Sequence, residues 1–184
     1  MGERILVTGG AGFIGRAVTH ELLRRGNSVC ILDSLIEQVH GDRERPEDLA
    51  PDAELIVGDI RNKDVVARAL KGADSVIHLA AEVGVGQSMY AVERYTSVNE
   101  VGSAVLFEQL IETPVRRVVT ASSMSIYGEG LYEDPDGNSV QDAERKAGSP
   151  SGGSWDPVDA HGRPLKPVAT PEWKRPSLSS IYAL

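Results

Sequence analysis

The stretch Val7-Thr8-Gly9-Gly10-Ala11-Gly12-Phe13-Ile14-Gly15 has the residue types and spacing to hold an anion. It satisfies G-x-G-x-x-G through Gly10, Gly12 and Gly15, and G-x-x-G-x-x-G through Gly9, Gly12 and Gly15. Glycine in such a turn allows a positive φ, lets a ligand approach the backbone, and lets the following helix approach the strand. The first N–H groups of a helix lack intrahelical partners, and its dipole adds positive potential there, so a pyrophosphate suits the site. Without strand and helix around it, the same run is only a flexible loop. Asp33 follows the turn by about 20 residues, the distance at which an acid reads an adenosine ribose. Its charge accepts ribose hydroxyls and repels a 2'-phosphate, which favours NAD over NADP. Its plainer role is to cap the turn after its own strand. Asp59 has two readings as well: it accepts a bond from an adenine amino group, or it caps the helix that follows. His78 sits among apolar residues and reads as a core histidine rather than a base. Cys30 lies in an apolar run and reads as a small buried hydrophobe.

The elements that must position these residues alternate. Arg4–Thr8 is a short β-branched strand, and residues 16–25 carry apolar side chains at helical spacing. Strands are expected at 28–32, ending on Asp33, and at 53–57, 75–79 and 115–121, with helices at 62–71 and 89–111. Residues 34–51 read as loop with at most a short helix, and 83–87 as a glycine-interrupted loop. Ala80 and Ala81 end the fourth strand with small side chains against which a flat cofactor can lie. Such alternation is the mark of an α/β, Rossmann-like, doubly wound parallel sheet with helices on both faces. Its ligands bind beyond the carboxyl ends of the strands, where the glycine turn, Asp33, Ala80-Ala81 and Ser122-Ser123 are expected to converge. From 131 to 176 the chain is rich in Gly, Pro, Ser and Asp without a clear period, as an insertion or lid would be, with Trp155 and Trp173 as anchors. Three regions follow: a dinucleotide-binding core at 1–130, the insertion at 131–176, and the start of a helix at 177–184.

Composition removes several function classes. With 27 acidic against 19 basic residues the net charge is -8, so no broad footprint for nucleic acid or an anionic membrane is expected. No apolar run has the length of a bilayer span, and no basic-then-apolar leader opens the chain, so a cytoplasmic location is expected. One cysteine leaves no internal disulfide and no zinc site of several thiolates, and no metal is expected.

With Gly58-Asp59-Ile60, His78-Leu79-Ala80-Ala81, Ser122-Ser123-Met124-Ser125-Ile126-Tyr127-Gly128 and Ser180-Ile181-Tyr182-Ala183 beside the glycine turn, the chain resembles the extended short-chain dehydrogenases/reductases of the nucleotide-sugar epimerase and dehydratase group. Residues 32–35, 38–41 and 83–90 are most similar to the dTDP-L-rhamnose 4-epimerase type, with the UDP-sugar 4-epimerase type as the alternative for the chain as a whole. The resemblance implies NAD bound by Gly9, Gly12, Phe13, Ile14, Gly15, Asp33, Ser34, Asp59, Ile60, Leu79, Ala80, Ala81, Asn99, Ser122 and Tyr182. It implies catalysis by Ser123 and Tyr182 on a dTDP- or UDP-hexose, and a homodimer paired through two helices, one of them 89–111. A phenol with a pKa of about 10 is a poor base at neutral pH. The family stabilises the phenolate with a lysine four residues on and with oxidised nicotinamide, and Ser123 relays the sugar proton to Tyr182.

Three departures qualify the resemblance. The lysine position falls past residue 184, so the chain reads as the N-terminal portion of a longer enzyme. Met124 and Ser125 stand where dehydratases of the group carry an Asp-Glu pair, which disfavours dehydration. The run Trp155-Asp156-Pro157-Val158-Asp159-Ala160-His161-Gly162 lacks the cysteines of the knuckle that the rhamnose type carries, which argues against zinc there. Two other readings are a nucleotide-sugar dehydrogenase or reductase that releases NADH, and a non-catalytic NAD-sensing module that binds a partner through 131–176. The 184 residues alone are expected to show little or no epimerase turnover. Measurable conversion of an NDP-hexose by this chain, with its mass verified, overturns that expectation.

Overall fold

The structure, a computed structural model, describes residues 2–41, 44–145, 155–178 and 180–183. The chain divides into two compact units, Met1–Ala121 and Ser122–Leu184. The first unit runs β1 (Arg4–Thr8), α1 (Phe13–Arg24), β2 (Ser28–Asp33), α2 (Glu37–His40), β3 (Glu54–Val57), α3 (Lys63–Leu70), β4 (Ser75–His78), α4 (Val85–Ser88), α5 (Val92–Tyr95), a π-helical turn (Thr96–Val101), α6 (Gly102–Glu112) and β5 (Arg117–Thr120). Its strands form one parallel sheet in the order β3-β2-β1-β4-β5, the expected Rossmann-like arrangement.

The central strands are apolar at nearly every position because both faces of the sheet are covered. Leu6, Cys30, Leu32 and Val76 face one side and pack with Val66 and Leu70 of α3 and Leu106 of α6. Ile5, Val7, Val29 and Ile31 face the other, against Leu49, Ala50 and Ala53, with Leu22 and Leu23 of α1 alongside. Each fully buried aliphatic side chain contributes about 1.5–3 kcal/mol relative to exposure, so the two layers fix β1 at the centre. Burial also pushes the Cys30 thiol up to about 11, as a core residue requires.

Several expected boundaries move. α1 begins at Phe13, so Phe13, Ile14 and Gly15 are its first turn rather than loop. The expected loop at 83–87 contains α4, and the single helix expected at 89–111 is α5, the π-helical turn and α6 in succession. A pattern read at 3.6 residues per turn cannot register the extra residue of a wider turn. α3 is capped by Asn62, whose Oδ1 accepts the N–H groups of Asp64 and Val65 at 3.0 and 3.2 Å, so the capping role weighed for Asp59 belongs three residues later. Among the described residues no helix is long and apolar enough to cross a membrane.

The second unit holds an antiparallel sheet in the order β7-β6-β8, made of β6 (Leu131–Glu133), β7 (Ser139–Val140) and β8 (Lys166–Val168), over a small core of Tyr132, Ala143 and Leu165. Strands of two and three residues are too short to show a period, which is why the region read as irregular. Residues 146–154 of the expected insertion lie outside the described residues. Two D-x-x-G-x loops share one geometry. Asp134 Oδ1 accepts the N–H groups of Asp136 and Asn138, and Asp159 Oδ1 accepts those of His161 and Arg163. Arg163 joins the loops, with Nε 2.6 Å from Asp159 and Nη2 2.8 Å from Asp136. Trp155 and Trp173, expected as anchors, are 67% and 62% exposed. Ile181–Ala183 is a 3-10 turn where an α-helical turn was expected, and Ser179 and Leu184 of that stretch lie outside the described residues.

Replacing Asn62 with Ala should cost about 1 kcal/mol in urea unfolding, and replacing Asp59 with Ala less than about half of that. The reverse ranking would return the cap to Asp59.

Candidate functional site

The end of β1 bends sharply at Gly9, whose φ is +67°, and whose N–H bonds the Leu32 carbonyl at 2.8 Å. A side chain on Gly9 would put its Cβ 2.7 Å from the Ala80 nitrogen and 2.8 Å from the Leu79 carbonyl carbon, so two backbones touch there. Gly15 is the second obligatory glycine, because a Cβ on it would run into the Gly9 carbonyl and lie 2.5 Å from Gly10 Cα. The register through Gly9, Gly12 and Gly15 therefore carries the turn, and Gly10 makes room for Ile31. α1 opens at Gly12 without a side-chain cap, and its first helical bond runs from the Arg16 N–H to the Gly12 carbonyl at 3.0 Å. The N–H groups of Phe13, Ile14 and Gly15 thus have no backbone partner within the helix, while the Phe13 and Ile14 side chains are exposed. An uncapped helix start against a side-chain-free turn fits a pyrophosphate.

Asp33 does more than either expected role. Its Oδ2 accepts the Ala11 N–H at 3.0 Å and so braces the glycine turn, and its Oδ1 accepts the Leu35 N–H at 2.9 Å and so caps its own turn. His40 Nε2 stands 3.6 Å from Oδ1, and Ser34 is exposed beside it. Leu35 is fully buried at φ +47°, alone among the described non-glycine residues in having a positive φ. A strained residue of this kind persists only where its surroundings over-determine it, and it sits directly behind the carboxylate. Asp59 is gripped by Arg61, whose guanidinium holds its carboxyl below the usual range, with Nε 2.9 Å and Nη2 2.5 Å away. Ile60 is buried in the core beneath it, close against Gly102.

The Leu79–Glu82 segment leaves β4 beside Gly9. The N–H groups of Leu79 and Ala80 reach Thr8 Oγ1 at 3.2 Å each. Asn99, on the π-helical turn, accepts the Glu82 N–H at 2.7 Å and donates to its carbonyl at 3.1 Å. The buried Glu82 carboxylate takes two bonds from Arg94, at 2.8 and 2.7 Å. Arg94 also donates to Gln38 at 3.2 Å, and Gln38 donates to Gln87 at the same distance, so α2, which follows β2, meets α4 and α5, which follow β4. His78 is a core residue, as expected, bonded to Thr8 and Ser103, and burial lowers its pKa. Sequence reasoning missed Thr8, Glu82, Arg94 and Ser103. The available signal was an acid directly after a small-residue strand end, with an arginine twelve positions on.

In the second unit Ser123 accepts the Ser125 N–H at 3.2 Å and caps a 3-10 turn, Met124–Tyr127. That turn packs against the Ile181–Ala183 turn that carries Tyr182, and the Ile126 carbonyl accepts the Ser177 N–H at 2.7 Å. The two expected catalytic residues thus lie on neighbouring turns, with Ser122 exposed beside the first. Among the described residues no group of three or more His, Cys, Asp and Glu is arranged to hold a metal ion.

Residues 5–150 match the model of the NAD dependent epimerase/dehydratase family. The chain is 36% identical over 159 residues to dTDP-L-rhamnose 4-epimerase of Burkholderia thailandensis, a match covering 84% of this chain and 44% of that protein. The structure of Thermotoga maritima UDP-glucose 4-epimerase with UDP-glucose is similar with a TM-score of 0.70 at 27% identity, over 98% of this chain and 46% of that one. The Thermus thermophilus UDP-glucose 4-epimerase complex with NAD gives 0.67 at 29%, over 98% and 46%. The chain therefore spans about half the length of the relatives it matches, or less. The glycine geometry carries a direct test. Gly15→Ala should reduce dinucleotide affinity at least about a hundredfold in calorimetric titration, since the helix start must shift away from Gly9 and Gly10. Retained affinity would dissociate the turn from the ligand.

Proposed function

Because this chain belongs to the NAD dependent epimerase/dehydratase family, we propose that its first unit holds NAD and that Ser123 and Tyr182 act on the C4 hydroxyl of a dTDP- or UDP-linked hexose, as in a 4-epimerase. The observation that carries the cofactor half is the uncapped start of α1, closed against Ala80 by Gly9 and braced by Asp33. Phe13, Ile14 and Gly15 offer their N–H groups to the pyrophosphate, with Gly9 and Gly12 clearing its path. Each Asp33 oxygen already accepts one backbone N–H and keeps a lone pair for a ribose hydroxyl, with Ser34 beside it. Asp59, immobilised by Arg61, and Ile60 border the adenine. Leu79, Ala80, Ala81 and Asn99 line the remainder.

NAD, when bound, supplies the acceptor and donor of the C4 hydrogen. The chain's own residues move the proton. Ser123 hydrogen-bonds the reacting hydroxyl and passes its proton to the Tyr182 oxygen, which returns it when the opposite face is reduced. A phenol about three pKa units above neutrality needs a neighbouring cation to work as a base, which the lysine four residues on provides in this family. The names of the relatives, dTDP-L-rhamnose 4-epimerase and UDP-glucose 4-epimerase, support a nucleotide-sugar substrate. Phe107 and Ile111, exposed four residues apart on α6, support pairing with a second copy of the chain.

Tyr182→Phe in the full-length protein is expected to lower sugar turnover about a hundredfold or more while NAD binding is retained, since of the side chain only the hydroxyl is lost. Absorbance at the nicotinamide band should not change in net terms during turnover of the unaltered enzyme. Steady accumulation of NADH would instead make it a dehydrogenase, and unchanged behaviour of the variant would make it a sensor.

A further inference from the structure

A series of hydrogen bonds, buried at Thr8–His78 and part-buried beyond, runs beneath the Leu79–Glu82 segment, and each proton in it can be assigned. Ser103 Oγ donates to the Asn99 carbonyl, which can only accept, so the single proton of Ser103 is committed there. Ser103 Oγ therefore accepts from His78 Nε2, 2.9 Å away, and that nitrogen carries the imidazole proton. A neutral ring protonated at Nε2 is bare at Nδ1, so the Thr8 hydroxyl, 2.6 Å away, donates to it. The lone pairs of Thr8 Oγ1 accept the N–H of Ala80 and share that of Leu79, whose shorter bond, 3.0 Å, goes to the Thr8 backbone carbonyl. Beyond Ser103 the Asn99 side chain takes both the N–H and the carbonyl of Glu82. One directional series thus grips both ends of Leu79–Glu82. Ala81, between the grips, is exposed, and its N–H has no partner among the described residues. The reverse tautomer would set Nδ1–H against a hydroxyl whose lone pairs are taken, and leave Ser103 facing a bare nitrogen with no proton to spare.

We propose that His78 is a positioning residue of the cofactor site: in its neutral form protonated at Nε2, and in no other form, it completes the series that holds Leu79–Glu82 against Gly9 and presents the Ala81 backbone to the dinucleotide. The inference rests on the reading of the first unit as an NAD site. It gives the histidine of the strand a task in binding that is separate from filling the core. The sheet survives without it, since Leu6, Cys30 and Val76 supply the packing of β1 and β4. What it loses is the ordered hydroxyl of Thr8, which alone among the described residues holds the Ala80 N–H.

Nitrogen-resolved NMR of the histidine rings in the whole 184-residue chain should show His78 neutral, with the proton on Nε2. An Nδ1–H ring or an imidazolium at neutral pH overturns the proposal. Calorimetric titration with NAD gives the second arm, run at a temperature where each variant is fully folded by circular dichroism. His78→Phe should weaken NAD binding by about tenfold or more, the cost of unsatisfied buried partners. Thr8→Val, which keeps the side-chain shape, should do the same and serves where the Phe variant fails to fold, while Thr8→Ser restores affinity. A merely structural histidine would lower the melting temperature and leave the affinity of the folded molecules unchanged, which sinks the proposal alone. Absence of NAD binding by the unaltered chain removes the cofactor reading, and this inference with it.

Discussion

Everything in the first unit depends on one contact in which two backbones meet with no side chain between them. Gly9 lies so close to Ala80 that a single added carbon would overlap the peptide. That contact is affordable only because β1 is the middle strand, with β2 and β4 on either side. The turn then draws its hydrogen bonds from three strands' worth of chain: Leu32 receives the Gly9 N–H, Asp33 receives that of Ala11, and Thr8 fixes the exit of β4. An anion-binding helix start is common, but here its position is set to within a bond length by groups that come from far apart in the sequence. Precision of that order separates a binding site from a merely favourable potential.

The fold was legible because its strands bury both faces. Arg4–Thr8 and Ser28–Asp33 read as apolar runs bounded by turn residues, and the alternation with helical segments left one topology class. The glycines were legible for the same reason, since only glycine meets the steric demand at Gly9 and Gly15. Long-range polar partnerships were not. The local cap of Asp33 on Leu35 was legible, but nothing in sequence showed that its other oxygen would hold Ala11, 22 residues away. Asn62 and Asp59 are equally good caps by residue type, and only the backbone path decides between them. Asn99 sits in what looks like ordinary helix, yet the π-helical turn frees its side chain to grip Glu82. A periodicity argument assumes regular geometry, so the functional irregularity was the part it could not see.

The second unit failed to read for a different reason. Its apolar layer is small, and much of its regularity lies in hydrogen-bonded aspartate loops. Tyr132, Ala143 and Leu165 make a small core, and Arg163 fastens Asp136 and Asp159 beside it. Both aspartate loops reuse one design, in which a carboxylate oxygen caps two N–H groups and a glycine with positive φ lets the chain turn. Composition alone presents this as loop, because Gly, Pro and Asp are the residues such tight turns need. Ser123 is supported in the same economical way, by capping the turn it begins.

The register of the sheet also carries a kinetic consequence. β1 pairs with β2 after a short excursion, but its other neighbour, β4, arrives only with Ser75, and Thr8 meets His78 across 70 residues. The glycine turn can therefore fold early as a strand, bend and helix, while its opposing wall is still distant along the chain. Closing a loop of that length is the slow, entropically opposed step of parallel-sheet formation. During synthesis the half-built cradle would leave the ribosome well before Ala80 does, open on one side and with little to distinguish it from any other helix start. The second wall of the turn then arrives late and all at once, when the fourth strand docks.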